Sequence, residues 1–310
     1  MISRRNIRVK VMQTIYTLST RENEIVPQEA ERILQTHFEQ TSKLLIYLNS
    51  FLIEVCSYAT TDAVQRSSKH LPNYEDLHVN TKITNNSIIE RLKKDELLHS
   101  SISKLNKEHK LNKDLIRKVY SQLIETPEYK NYYNTENREV KEDKNILIFI
   151  IDKLMLANEN FVSYIEEIFC NWDDDGEMVV PLFINYLNKP DSFELTKIIS
   201  DEKRDFAKKL LQSVLEKSNY LQEMIIPKLK NWDPERIALI DMILMKMGVA
   251  EFLYFETIPP KVTINEYIDL AKDYSTAQSG HFVNGILDTI HKELLLTDKK
   301  TRHHDYYRHA

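Results

Sequence analysis

An all-α fold is predicted, and two observations predict it. Apolar residues recur at three- and four-residue spacing along almost the whole chain. Period-two runs bounded by turn residues, which mark strands, are hard to find. No internal repeat is apparent.

The first helix runs from about Ser3 to Ser19, with Ile7, Val11, Ile15 and Leu18 on one stripe and Arg4, Arg5, Arg8 and Lys10 around it. It is a basic amphipathic helix. A long second helix follows Pro27, where Ile33, Leu34, Phe38, Leu45, Leu48, Leu52 and Val55 trace a stripe bordered by Cys56. Residues 60–86 lose the periodicity and read as a solvated connection or a partly ordered loop. Helical spacing returns over 87–105 and 113–124. It is strongest over 141–169, where Ile148, Ile151, Leu154, Met155, Asn158, Phe161, Val162, Ile165 and Phe169 predict one core helix. Asp173-Asp174-Asp175-Gly176 is expected to break the chain before a short helix over 178–187, and Lys189-Pro190-Asp191 to break it again.

Four helices close the sequence. The first spans about 202–229, with Phe206, Leu210, Leu211, Val214, Leu215, Leu221 and Ile225 on a broad face. The next begins well: Asp233 as N-cap, Pro234 at the first helical position and Glu235 at the positive dipole end. It is expected to run to about Tyr254. Pro259-Pro260 forbids continuation, and 262–274 and 278–295 are two further helices.

Composition excludes several function classes. Hydrophobic residues at 42% and charged residues at 29% describe an ordered chain with a heavily ionised surface. The four glycines, Gly176, Gly248, Gly280 and Gly285, form no phosphate-cradling GxGxxG or GxxxxGK loop, which argues against the common nucleotide-dependent enzymes. Cys56 and Cys170 have no CxxC partner, so neither a disulfide framework nor a zinc ribbon is expected, and a reducing cytoplasm fits. No apolar leader and no uncharged membrane-length stretch is seen, and a cytoplasmic location without membrane contact is expected. The acidic run Asp173–Asp175 lacks the alternating spacing of a calcium loop and reads as a turn and cap. His303, His304, Asp305 and His309 read as a loose tail, and Met242, Met245 and Met247 as core filler. No metal, cofactor or small-molecule substrate is expected, and no enzymatic activity. The net charge of −5 means that any nucleic-acid contact is local.

The closing stretch carries the most specific pattern. Ile258-Pro259-Pro260-Lys261-Val262, Ile264-Asn265-Glu266, Ile268, Leu270-Ala271-Lys272 and Phe282-Val283-Asn284-Gly285-Ile286-Leu287-Asp288 follow in order. Before them stand Arg236-Ile237-Ala238-Leu239-Ile240-Asp241 and Gly248-Val249-Ala250-Glu251-Phe252-Leu253-Tyr254. Together these resemble the NusB family of transcription antitermination proteins. Arg4-Arg5, Arg8, Gln13 and Ile15-Tyr16 resemble that family's arginine-rich first helix. The resemblance covers about 20 residues at the start and about 100 at the end.

The resemblance implies a NusB-like antiparallel helical bundle that pairs with the ribosomal protein NusE, binds the single-stranded boxA element of nascent RNA and acts with the transcription elongation complex in ribosomal-RNA transcription. The implied RNA residues are Arg4, Arg5, Arg8, Lys10, Gln13, Tyr16, His281 and Phe282. Charge supports this, since residues 1–21 hold Arg4, Arg5, Arg8, Lys10 and Arg21 without a carboxylate. Tyr16 and Phe282 offer rings on which an unstacked base can lie. Read alone, such a basic helix is a solvated face, and Tyr16 and Phe282 are packing residues. The partner surface is expected around Glu251, Tyr254, Lys261, Glu266, Gln278 and Ser279.

The sequence departs from the family in three places. Gln278 stands before Ser279 where an acidic residue is usual, Gly280-His281 replaces the usual basic approach to Phe282, and a long stretch after Arg21 has no counterpart in the compact pattern. The expected organisation is a basic N-terminal helix (1–21), an inserted helical lobe (22–193), a NusB-like core (194–296) and a disordered tail (297–310). An alternative is a protein–protein scaffold that has lost RNA binding. A second is an accessory to ribosomal-RNA modification, although no glycine-bearing catalytic domain follows Leu296.

Overall fold

The computed structural model describes residues 2–21, 27–135, 139–189, 195, 197–229 and 236–306, with side chains to residue 296. Among these residues there are fifteen α-helices, short 3₁₀ and π segments, and no strand. The all-α prediction holds. The chain divides into an inner unit, Phe38–Ile198, and a terminal unit made of Ile2–His37 with Ile199–Ala310. The start of the long helix α2 (Pro27–Ser67) is therefore grouped with the terminal residues. By length and composition α2 is apolar enough to cross a membrane, yet 72% of its most apolar window is buried within the protein, the pattern of a core helix.

The inner unit is built from short helices, because capping residues interrupt the apolar pattern. After α2 come α3 (Tyr74–Leu77), α4 (Ser87–Lys94), α5 (Glu96–Glu108), α6 (Lys113–Glu125) and α7 (Pro127–Asn134). Then follow α8 (Val140–Phe149), α9 (Glu159–Ile168) and α10 (Trp172–Asn188). Asn73, Asn86, Asp95, Asn112, Thr126 and Asn158 each accept a hydrogen bond from a free amide of the helix that follows.

Three expectations change here. Residues 60–86 are not a plain connection, since α2 extends to Ser67 and α3 and a 3₁₀ turn over Lys82–Asn85 follow. The single helix expected over 141–169 is α8, a π segment over Ile150–Met155 and α9, separated because Asn158 caps α9 instead of continuing the stripe. The acidic run starts a helix: Asp173, Asp174 and Asp175 occupy the first turn of α10, where the dipole favours them. Asp175 also accepts from Thr41 (2.6 Å) and Asn171 (2.6 Å) in the interior. Tyr47 against Phe169 and Phe51 against Phe161 pack this unit's core.

The terminal unit comprises α1 (Arg4–Ser19), α11 (Asp201–Glu216), α12 (Ser218–Ile225), α13 (Leu239–Tyr254), α14 (Pro260–Tyr274) and α15 (Ser279–Tyr306). The helix expected over 202–229 divides at Lys217 into α11 and α12 and ends in a 3₁₀ turn. Asp233, Pro234 and Glu235, and the break at Pro190-Asp191, lie outside the described residues. The backbone of α15 continues past Leu296 to Tyr306, into the stretch expected to be a tail.

Helix α13 is apolar on nearly every side and touches α1, α11, α12, α14 and α15, as a helix without a polar face must. Gly248 makes this possible. A Cβ there would meet the Leu287 methyls at 2.8 and 2.9 Å and the Tyr267 ring at 3.3 Å, so only glycine lets α13 lie this close to α14 and α15.

Candidate nucleic-acid interface

Helix α1 opens with Ser3, whose Oγ accepts from the Asn6 amide, and carries no acid in its first turn. Its arginines divide by position. Arg4 is exposed and donates to Glu202 of α11 at 2.9 Å. Arg5, partly exposed, spans two carboxylates of α14, Asp273 at 2.8 Å and Asp269 at 3.4 Å. These surface pairs hold the guanidinium groups in place at little energetic cost to their availability.

Arg8 lies inside. Only 2% of its side chain is exposed; Nε donates to Glu251 Oε1 at 2.7 Å and Nη2 to Oε2 at 2.9 Å. Glu266 Oε2 lies 3.3 Å from Nη1, in ion-pair but not hydrogen-bond geometry. Glu251 also accepts from Tyr267 OH (2.7 Å) and Thr263 Oγ1 (3.1 Å). Burial works against the Arg8 charge. The bond to Glu251 and the surrounding charges outweigh it, so Arg8 is held above the ordinary arginine value. Burial and the Glu251 charge push the Tyr267 phenol far up, keeping it a donor.

This corrects the sequence reading at several residues. Arg8 cannot reach a phosphate, and Lys10, 1% exposed, is enclosed as well. Glu251, also 1% exposed, is the counter-ion of Arg8 rather than part of a partner surface. Ser279 is buried too: its Oγ donates to Asp241 (2.8 Å) and accepts from the Thr276 amide, closing the turn between α14 and α15.

The remaining candidates reach solvent to different degrees. Tyr16 is 42% exposed, His281 is exposed, and Gln13 and Phe282 are half-buried. Lys261 and Gln278 are exposed, whereas Tyr254 and Glu266 are half-buried. The structure links Arg5 to the His281 region through α14. Arg5 reaches Asp269 and Asp273, and Lys272, between them in sequence, lies against Gly280, the neighbour of His281.

Asp269 and Asp273, which arrange this surface, and Thr263 and Tyr267 below it escaped the sequence reading, and Lys272 was seen there only as part of the family motif. A signal for the buried pair was present. Glu251 is a lone acid in the run Gly248-Val249-Ala250-Glu251-Phe252-Leu253, and a carboxylate among apolar residues needs a cationic partner.

The description "NusB family" matches residues 163–292. A transcription antitermination protein NusB from Listeria monocytogenes is 34% identical over 99 residues, 32% of this chain and 77% of the relative. The chain belongs to the NusB family. Proteins with the same description from Chloroherpeton thalassium and Salinibacter ruber are 43% and 46% identical over 98 and 87 residues, 31% and 28% of this chain. The chain spans about half the length of these two relatives, 46% and 54%. No solved structure matches. The NusB match begins within α9, ahead of residue 194, where the sequence reading starts the family core.

Proposed function

We propose that this NusB-family protein is a non-catalytic, cytoplasmic factor in ribosomal-RNA transcription that binds boxA-type single-stranded RNA together with NusE in the elongation complex. One observation carries the reading. The start of α1 presents Arg4 and Arg5 at the surface, fixed by Glu202, Asp269 and Asp273, with Lys272 and His281 on the adjoining α14–α15 corner. Arg8, turned inward, anchors the helix that displays them. Arg4, Arg5 and Lys272 meet phosphates, while Tyr16, Gln13, His281 and Phe282 offer stacking and polar contacts to bases. Tyr254, Lys261, Glu266 and Gln278 contribute to the NusE surface, and the stretch between α1 and the start of the family match at residue 163 is an addition to the family pattern.

The test is a salt titration of boxA-like RNA binding, with and without NusE. Replacing Arg4 and Arg5 by alanine is expected to lower the log–log salt slope by about 1.4, at about 0.7 per phosphate contact on a single strand. An unchanged slope in both settings refutes RNA contact by α1 and favours the scaffold reading.

A further inference from the structure

We infer that the inner unit carries a second, sequence-independent contact surface for single-stranded RNA, at the corner between α5 and α6. Six cations stand between residues 104 and 118, namely Lys104, Lys107, Lys110, Lys113, Arg117 and Lys118, against two carboxylates, Glu108 and Asp114, in a chain of net charge −5. All six are exposed, and among the described residues none is held in an ion pair.

Both carboxylates are already engaged. Glu108 binds Lys43 of α2, and that bond holds its carboxyl below the ordinary range. Asp114 occupies the first turn of α6, where it complements the helix dipole. Neither carboxylate of this stretch is paired with any of the six cations.

The arrangement is ordered. Leu98 and Leu105 of α5, and Leu115, Ile116, Val119, Tyr120 and Leu123 of α6, turn inward and leave the charged positions outside. Lys107, Lys110, Lys113 and Arg117 follow at steps of three or four residues, so consecutive Cα atoms lie within about 10–14 Å. The corner itself is fixed. The His109 ring packs on Phe169 at 4.8 Å, Tyr164 OH donates to the Lys110 carbonyl at 3.1 Å, and Asn112 caps α6. A preorganised strip forfeits less entropy on binding than a floppy basic tail.

Exposed charges recurring at steps of three or four residues along the turn between two helices suit an extended chain carrying a charge at every unit. A single strand of RNA has that form, and lysine ammonium groups neutralise phosphates without reading bases. This surface is independent of Arg4 and Arg5, which belong to the terminal unit.

The experiment uses the full chain and a fluorescently labelled 20-nucleotide oligouridine, read by anisotropy across a salt series. The variant Lys107→Gln, Lys110→Gln, Lys113→Gln, Arg117→Gln alters exposed side chains only, and an unchanged melting curve confirms its fold. The salt slope is expected to fall by about 3, at about 0.7 per contact, with at least a tenfold loss of affinity at low salt. The same loss is expected for a boxA-like strand. An Arg4→Ala, Arg5→Ala variant keeps the strip and separates the two surfaces, since either loss can occur without the other. Parental affinity and slope in the fourfold variant overturn the inference. Competition by polyglutamate as effective as that by unlabelled RNA also overturns it, assigning the strip to acidic proteins.

Discussion

Arg8 of α1 grips Glu251 of α13 through two hydrogen bonds, 2.7 and 2.9 Å, with both side chains almost wholly enclosed. A paired buried charge is tolerable, whereas an unpaired one is costly. Arg8→Met, which strands Glu251, is expected to cost about 3–5 kcal/mol. Arg8→Met combined with Glu251→Leu is expected to recover much of that loss in urea unfolding. Equal losses in the single and double variants would show that the charge pairing is not the source of the cost.

Gly248→Ala pushes a methyl into Leu287 and Tyr267, and overpacking of this kind costs about 1–3 kcal/mol. Gly285→Ala, whose Cβ meets nothing within 4 Å and which removes a flexible residue from α15, is expected to be neutral or slightly stabilising. Thermal melts of the two variants check the contrast, and a drop of similar size in both would contradict the described packing.

Cys56 is fully buried, and burial pushes its thiol well above the usual range, while Cys170 is exposed. A thiolate-selective reagent such as DTNB is expected to label one equivalent in the native protein and a second only on unfolding. Rapid native labelling of both would place Cys56 at a surface.

Lys246 is half-buried and donates to two neutral oxygens, Ser218 Oγ (2.9 Å) and Gln222 Oε1 (3.0 Å). Burial lowers its pKa from the usual 10.5. The folded state thus gives up this proton before the unfolded chain does, and the destabilisation it contributes fades as pH rises toward 10.5. Lys246→Met is expected to flatten that part of the stability profile in denaturant titrations at pH 8 to 10, and an unaltered slope would contradict the assigned shift.

Much of the fold was legible because apolar period reports helices directly, and the closing motifs are long enough to specify a family. The exceptions have physical causes. Asn158 sits at a position compatible with the stripe over 141–169, and spacing alone does not reveal that its carbonyl oxygen takes the Asn160 and Phe161 amides and starts a new helix. Arg8 and Lys10 look solvated when a helix is credited with one apolar face. In α1 the enclosed residues include Ile7, Arg8, Val9, Lys10, Val11 and Met12 in succession, so nearly the whole circumference of that segment is covered. The exposed half of the candidate site, Arg4, Arg5, Tyr16 and His281, was readable from charge and motif. The carboxylates that hold it come from distant positions in the sequence, which local pattern does not reveal.

Arg8 and Glu251 lie 243 positions apart. As the polypeptide leaves the ribosome, α1 must wait for that counter-ion, roughly 10–50 s at about 5–20 residues per second. The inner unit is continuous from Phe38 to Ile198 and has all its residues well before then. Synthesis therefore favours an order in which Phe38–Ile198 folds before α1 can pair with α13, and until then the Arg8 charge has no buried partner to meet.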